Sequence, residues 1–401
     1  MPATNRSCAR LLALLALLLS VHGQTLRAAT LRVGPTEPLA RIADAARKAK
    51  DGDVVEILPG EYRGDVAVWV QKSLTIRGIG QRPILIADGK SAEGKATWVI
   101  RNGDFRIENI EFRGARVADG NGAGIRFERG RLTVRGCAFV DNQTGILTSN
   151  YNDAELTIEN SLFAQAPHQT HSLPHLLYAG RIGHLAISGS RFEGGYWGHL
   201  IKSRARRSEI RYNLIYDGPD GESSYEIDLP NGGIAHVVGN VVGQSAKTQN
   251  PVVVSYGAEG NVWSENSLFL AHNTLINDYL PGAWFLRVPA EKFPSPPKVL
   301  ALNNLTVGPG VFSLGATGDF HGNYAALPAM LGGPERLDFS LSRGSLLRGM
   351  AAPLDEINAS QGEGLVPLAE FRLPIGTRPL TPPAKWAPGA FQSPSDQGDS
   401  R

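Results

Sequence analysis

Nine residues, HLIKSRARR (199–207), place Lys202, Arg204, Arg206 and Arg207 directly after an apolar pair that reads as strand. About twenty-five residues on, SSYEIDLPNGG (223–233) brings Tyr225, Glu226, Asp228 and Asn231, and VVVSYGAEGN (252–261) adds Ser255, Tyr256 and Glu259. Cations beside carboxylates, with tyrosine and histidine close by, suit proton transfer next to a held anion. An amine or imidazole removes a proton, a guanidinium holds negative charge, and a phenol returns a proton to a leaving oxygen. The plain alternative is that Lys202 and Asp228 form a cross-strand ion pair, worth ~0–1 kcal/mol on a surface.

A repeat positions these residues. FRIENIEF, LTVRGCAF, LTIENSLF, LAISGSRF, SEIRYNLI, AHVVGNVV, LFLAHNTL and VLALNNLT recur, with anchors at Asn109, Gly136, Asn160, Gly189, Asn213, Asn240, Asn273 and Asn304. Strand alternation in each unit, without a helical period, describes stacked coils of an all-β solenoid. Propeller blades need ~40 residues each and are too long for these intervals. An Asn at the same bend of each coil satisfies backbone groups above and below it. In PTEPLARIADAARKAK (35–50), Thr36 is the candidate N-cap of a helix covering the open end.

Aligning the strands by parity predicts an outward column of Thr148, Tyr178, Lys202, Asp228, Ser255 and Arg287, with Arg204 and Glu226 on the same face. Leu177, Ile201, Ile227, Val254 and Leu286 then point inward, and His199 and Tyr225 share their parity as a buried pair. Five of the nine histidines, His168, His171, His175, His184 and His199, fall close together. The Pro and Ser of HQTHSLPH argue for a loop over a helical metal site.

The ends and the composition bound the rest. Arg6 and Arg10 precede the apolar run Leu11–Leu19, the pattern of a secretory signal peptide (1–23, cut between 23 and 29). Its removal takes two of 40 basic residues and none of 38 acids, leaving zero net charge and no global attraction to nucleic acid. Cys137 then remains alone, so no internal disulfide is expected. A periplasmic or secreted monomer that inserts in no membrane is predicted. From about Leu327 the repeat gives way to RLPIGTRPLTPPAKWAPGAFQ, read as an extended tail (326–401) lying on the solenoid, its last residues disordered.

AARKAKDGDVVEILPGEY (45–62), LTIRGIG (74–80) and FRIENIEFRG (105–114), with the coils after them, resemble right-handed parallel β-helix proteins of the pectate-lyase-like superfamily. The resemblance spans residues 30–325 and implies a carbohydrate-active or carbohydrate-binding protein, on a fold that hosts many chemistries. With that substrate class, the charges suit β-elimination or C5-epimerisation of an anionic, uronic-acid-containing polysaccharide. Lys202 is then the base, Arg204 the carboxylate clamp and Tyr178 the acid. His199, Tyr225, Asn231, Ser255, Glu259 and Arg287 contact the chain, and Glu226 and Asp228 hold a calcium ion or sugar hydroxyls. The sequence lacks the Asp-Pro-His-Asp that periplasmic alginate epimerases carry and the Arg-x-Pro-x-x-Arg of pectate lyases. Two carboxyls ~6.5–9.5 Å apart would permit hydrolysis, which Glu226 and Asp228 leave open. The other reading is a non-catalytic glycan-binding or polysaccharide-export-associated protein. No nucleotide or dinucleotide cofactor motif is present.

Overall fold

The computed structural model describes residues 28–169, 172–314, 316–353 and 364–393. The predicted signal peptide, His171 and the end of the tail lie outside them.

Each coil of the chain contributes one short strand to each of three parallel sheets, which hold twelve, eleven and ten strands. One coil, for instance, runs through His184–Ser188, Arg191–Glu193 and His199–Ser203 before Arg207–Arg211 returns to the first sheet. Every neighbour in a sheet is thus the same segment of the adjacent coil, so equivalent side chains stack at strand spacing, ~4.8 Å. The core shows this directly. Phe112, Phe139, Phe163 and Phe192 form one stack with centroids 5.1, 4.7 and 4.6 Å apart.

The bend between the first and second sheets holds two columns, where the sequence reading placed one. Asn109, Gly136, Asn160 and Gly189 continue into Tyr212, Gly239, His272 and Asn303, all with left-handed φ. Asparagine and glycine suit that conformation. The residues one step later form the hydrogen-bonded ladder. Asn213 Nδ2 donates to Asn240 Oδ1 (2.9 Å), Asn240 to Asn273 (3.0 Å), Asn273 to Asn304 (3.0 Å) and Asn304 to Asn323 (2.8 Å). In the earlier coils Ser190 and Ser161 take the ladder place, their hydroxyls accepting the backbone N–H of Ser161 and Cys137 in the preceding coil. The repeat motif fused these two columns because they are adjacent in sequence and both favour Asn.

The helix starts later than Thr36 suggests. It spans Ile42–Lys48, and Asp65 caps it from a neighbouring turn, accepting the N–H groups of Ile42 (2.6 Å) and Ala43 (3.0 Å). Such a cap, twenty-two residues away, carries no local sequence signature. Cys137 is fully buried, and burial pushes its thiol up to about 12. Among the described residues no helix is long and apolar enough to cross a membrane.

The described tail residues bind the first and second sheets. Arg211 donates to the Gly364 carbonyl (2.6 Å), Gly376 N–H to Gly189 O (2.7 Å) and Ala390 N–H to Thr274 Oγ1 (3.0 Å). Leu365 packs with Phe269 and Leu300, and Phe371 shares an apolar cluster with Leu214 and Val241.

Candidate functional site

The ten-stranded third sheet carries the residues singled out by their chemistry. Its register aligns Arg126, Leu147, Tyr178, Lys202, Asp228, Ser255 and Arg287 in one row across seven strands. Leu147, not Thr148, precedes Tyr178. Thr148 is buried, with Oγ1 accepting the Gly180 N–H at 2.8 Å.

Strict alternation fails at one place in every coil, and this rearranges the site. Leu200 and Ile201 both belong to the core, as do Leu176 and Leu177, Val253 and Val254, and Phe285 and Leu286. Two successive inward residues turn the residue before them outward. His199 therefore joins Lys202 on the outer face and does not sit in the core. Its register partner Tyr225 does the same, half-exposed, with ring centroids 5.0 Å apart. Glu226 takes the place of Leu200 and faces inward, contrary to the expectation that it shares a face with Arg204. It is fully buried, and burial raises its carboxyl well above the usual range. Ser223 Oγ donates to one of its oxygens (2.9 Å), and the other has no partner. Tyr256 is likewise buried, its hydroxyl donating to Gly233 O at 2.6 Å.

On the outer face the charges compensate one another. Lys202 Nζ lies 3.3 Å from Asp228 Oδ2 and 3.4 Å from Glu259 Oε1. The two Arg204 Nη atoms meet the two Glu259 oxygens at 2.7 and 3.0 Å, a two-point ion pair. Arg204 Nε donates to Tyr178 Oη (2.9 Å), and Nη1 donates to Asn231 Oδ1. Trp263 Nε1 donates to the Arg204 carbonyl at 3.2 Å, pinning that backbone. Glu259 sits on the loop after Val252–Tyr256 and stays half exposed, whereas Lys202 and Asp228 are nearly covered.

Burial and cations set the protonation states. His175 is lowered to about 3, first by burial and then by Lys202 and Arg204. His199 is held well below its ordinary value, by burial, His175, Lys202 and Arg204 in that order. Both imidazoles are therefore neutral at pH 7. The His199 backbone N–H donates to His175 Nδ1 (3.0 Å), and their rings lie 4.8 Å apart. Burial raises Asp228, an effect Lys202 only partly offsets, while the hydrogen bond from Arg204 holds Glu259 below the usual carboxylate range.

His199 Nδ1 stands 3.3 Å from Asp228 Oδ2 without a hydrogen bond. Asp228 Oδ1 and Ser255 Oγ are also buried without partners. Three adjacent orphaned polar atoms on the outer face of a sheet are costly to a folded chain unless something occupies them. Glu226 and Asp228 face opposite sides of the sheet, so they do not join in a calcium cage, which needs six to eight oxygens. Among the described residues no three His, Cys, Asp or Glu side chains converge for a metal. The same divergence removes them as a hydrolytic pair across one groove.

His175 was missed as a site residue, although HLLYAG (175–180) above HLIKSR (199–204) already set one histidine over the other. The remaining histidines disperse. His168 stacks on Tyr196 with centroids 4.2 Å apart, and His184 Nε2 lies 3.8 Å from Glu209. Arg206 is exposed, and Arg207 pairs with Glu209 at 2.7 Å on the first sheet.

A solved structure of pectate lyase Pel9A superposes on the chain with a TM-score of 0.63, covering 91% of this chain and 96% of that one at 14% identity. The fold is a pectate-lyase-like right-handed parallel β-helix. No protein-family model matches the sequence, nor does any curated protein. In this β-helix the candidate site lies on the face that the described tail contacts leave alone.

Proposed function

We propose that this β-helix acts outside the cytoplasm on an acidic, uronic-acid-containing polysaccharide, abstracting the C5 proton in β-elimination or C5-epimerisation. The observation that carries the reading is the outward cluster of His199, Lys202, Asp228 and Tyr178 with its three orphaned buried atoms. In this reading Lys202, held between Asp228 and Glu259, faces the sugar carboxylate, and Arg204 shares that task. The base is then neutral His199, with Asp228 beside its ring. The C5 proton passes to the imidazole. In elimination the C4–O bond breaks, its oxygen takes the Tyr178 hydroxyl proton, and a C4=C5 double bond remains. Epimerisation returns a proton to the opposite face of C5. The short helix and the tail serve as covers for one end and two faces of the solenoid.

The ion pairs that already satisfy Lys202 and Arg204 favour a second reading, a protein that holds an acidic glycan without changing it. Incubation with a panel of uronic-acid polymers, followed by ultraviolet absorbance of unsaturated ends and by deuterium exchange at C5, separates the two. Wild type should produce one signal, and His199→Ala should abolish it while still binding the polymer. Binding by wild type with neither signal would establish the glycan-holding reading instead.

A further inference from the structure

Two cations flank the site in the same row, each three strands from Lys202. Arg126 lies three strands toward the N-terminal coils, through Leu147 and Tyr178, and Arg287 three strands the other way, through Asp228 and Ser255. Strand spacing puts each roughly 14 Å from Lys202, and the whole row spans roughly 29 Å.

Both differ from the arginines of the first sheet. On the first sheet Arg77, Arg131, Arg135 and Arg207 all pair with carboxylates. Arg126 has no carboxylate at ion-pair distance among the described residues. Its Nη2 donates to Ser149 Oγ (3.0 Å), and its Nε is buried without a partner. Burial lowers its pKa, with Glu128 and Asp119 compensating only in part. It lines a cavity of about 200 Å³ with Lys95, Asp119, Asn121 and Leu147. Arg287 is exposed, also without an ion pair among the described residues, and its guanidinium lies 5.3 Å from the centre of the Trp284 ring. Trp284 in turn lines an apolar cavity of about 280 Å³ with Pro251, Pro281 and Val311. A flat guanidinium over an indole next to an apolar wall suits a sugar ring bearing an anion.

We propose that Arg126 and Arg287 are outlying carboxylate-binding subsites, so that one acidic chain of about seven sugars lies along the row with its reacting residue at Lys202. The inference rests on the acidic-polysaccharide reading above and adds the direction of the chain, its minimum length and an internal point of attack. An extended pyranose chain advances about one strand spacing per residue, so anions on sugars three places either side of the centre reach the two arginines. A centre in the middle of a seven-strand row acts inside a chain, not at its end.

The test uses oligogalacturonates and oligomers of mannuronate and guluronate, three, five and seven residues long, with carboxyl-reduced seven-residue chains as the neutral control. Dextran sulfate serves as an anion without uronate, and affinity is read by calorimetry. Wild type should bind seven-residue uronate about tenfold or more tighter than trimer, and the neutral chain weakly. Arg126→Gln and Arg287→Gln should each lose about threefold to tenfold on the seven-residue chain and nothing on the trimer, with wild-type melting temperatures. Trimer and seven-residue chain binding equally, or both variants matching wild type, would overturn the subsites while leaving the central reading intact. A preference for dextran sulfate over every uronate would overturn carboxylate recognition, and no binding to any probe would sink both readings together.

Discussion

Glu226 and Asp228 stand two residues apart on one strand and face opposite sides of the sheet. Glu226 enters the core at the position of Leu200, and Asp228 meets Lys202 on the outside at 3.3 Å. The doubled inward pair produces this, since a residue inserted into the inward run reverses everything before it. What looked like one acidic pair is a buried acid and an outward-facing acid.

Glu226 should therefore be dispensable to the chemistry and costly to stability. Its neighbours in the same row are Leu200, Val253 and Phe285, and one of its oxygens lacks a partner. Glu226→Gln should raise unfolding free energy at pH 7 to 8 by about 1–2 kcal/mol and leave polymer turnover unchanged. A raised carboxyl stabilises the fold at low pH and loses that contribution as pH rises through its folded value. The gain should thus vanish near pH 4, as denaturation curves at both pH values will show. Abolished turnover with intact folding would return Glu226 to the active site.

Lys202 and Asp228 should behave as a buried pair. Lys202→Ala leaves a nearly covered carboxylate without its nearest cation, and should cost about 3 kcal/mol in urea denaturation. Adding Asp228→Leu should restore most of that loss, the non-additivity expected of direct contact. Simple addition of the two effects would show that the 3.3 Å contact contributes little.

Glu259 is the exposed member of the cluster and holds Arg204 at two points. Glu259→Gln should free the guanidinium, tighten binding of uronate oligomers several-fold at low salt and steepen the decline with added salt. Weaker binding would mean that Glu259 contacts sugar hydroxyls itself.

The buried histidines should make the fold sensitive to acid. His175 is lowered to about 3, and His236 and His272 to about 4, each by burial first. Folded, they take up fewer protons than the unfolded chain below their ordinary value of 6.5, so stability falls as pH drops from there toward 4. Asp217, raised to about 6 by burial, acts in the opposite sense and loses its contribution as pH rises through 6. His175→Asn, which keeps an acceptor for the His199 N–H, should flatten the acid limb of a thermal-melt series. An unchanged slope would place the titration elsewhere.

The ladder should carry much of the solenoid's cohesion. Asn240 accepts from Asn213 and donates to Asn273 and to Ile210 O, at 2.8–3.0 Å and wholly buried. Asn240→Ala strands the Asn213 N–H and the Ile210 carbonyl of the preceding coil and should cost about 3 kcal/mol, read by guanidinium denaturation. Asn109→Ala, one column over at left-handed φ, should cost about 1 kcal/mol through strain and its lost hydrogen bonds to Gly78 and Gly80.

Stacking is a short-range rule repeated many times, so the sequence alone was enough to determine the solenoid. The spacing of FRIENIEF, LTIENSLF and their successors reveals it, because every coil must offer the same apolar pattern to its neighbours. The row Tyr178–Lys202–Asp228–Ser255–Arg287 followed from that same register. Three things were decided only in three dimensions. The doubled inward pair moved His199 and Tyr225 outward and Glu226 inward, because a bulge changes direction without changing composition. Asp65 capped the helix, and Glu259 reached back to Arg204 across fifty-five residues, contacts that leave no local pattern. HLIKSRARR thus divides three ways. His199, Lys202 and Arg204 belong to the candidate site, Leu200 and Ile201 to the core, and Arg206 and Arg207 to the turn and the next sheet. The parity of a strand is a local property, but where that parity slips depends on the coils packed above and below it.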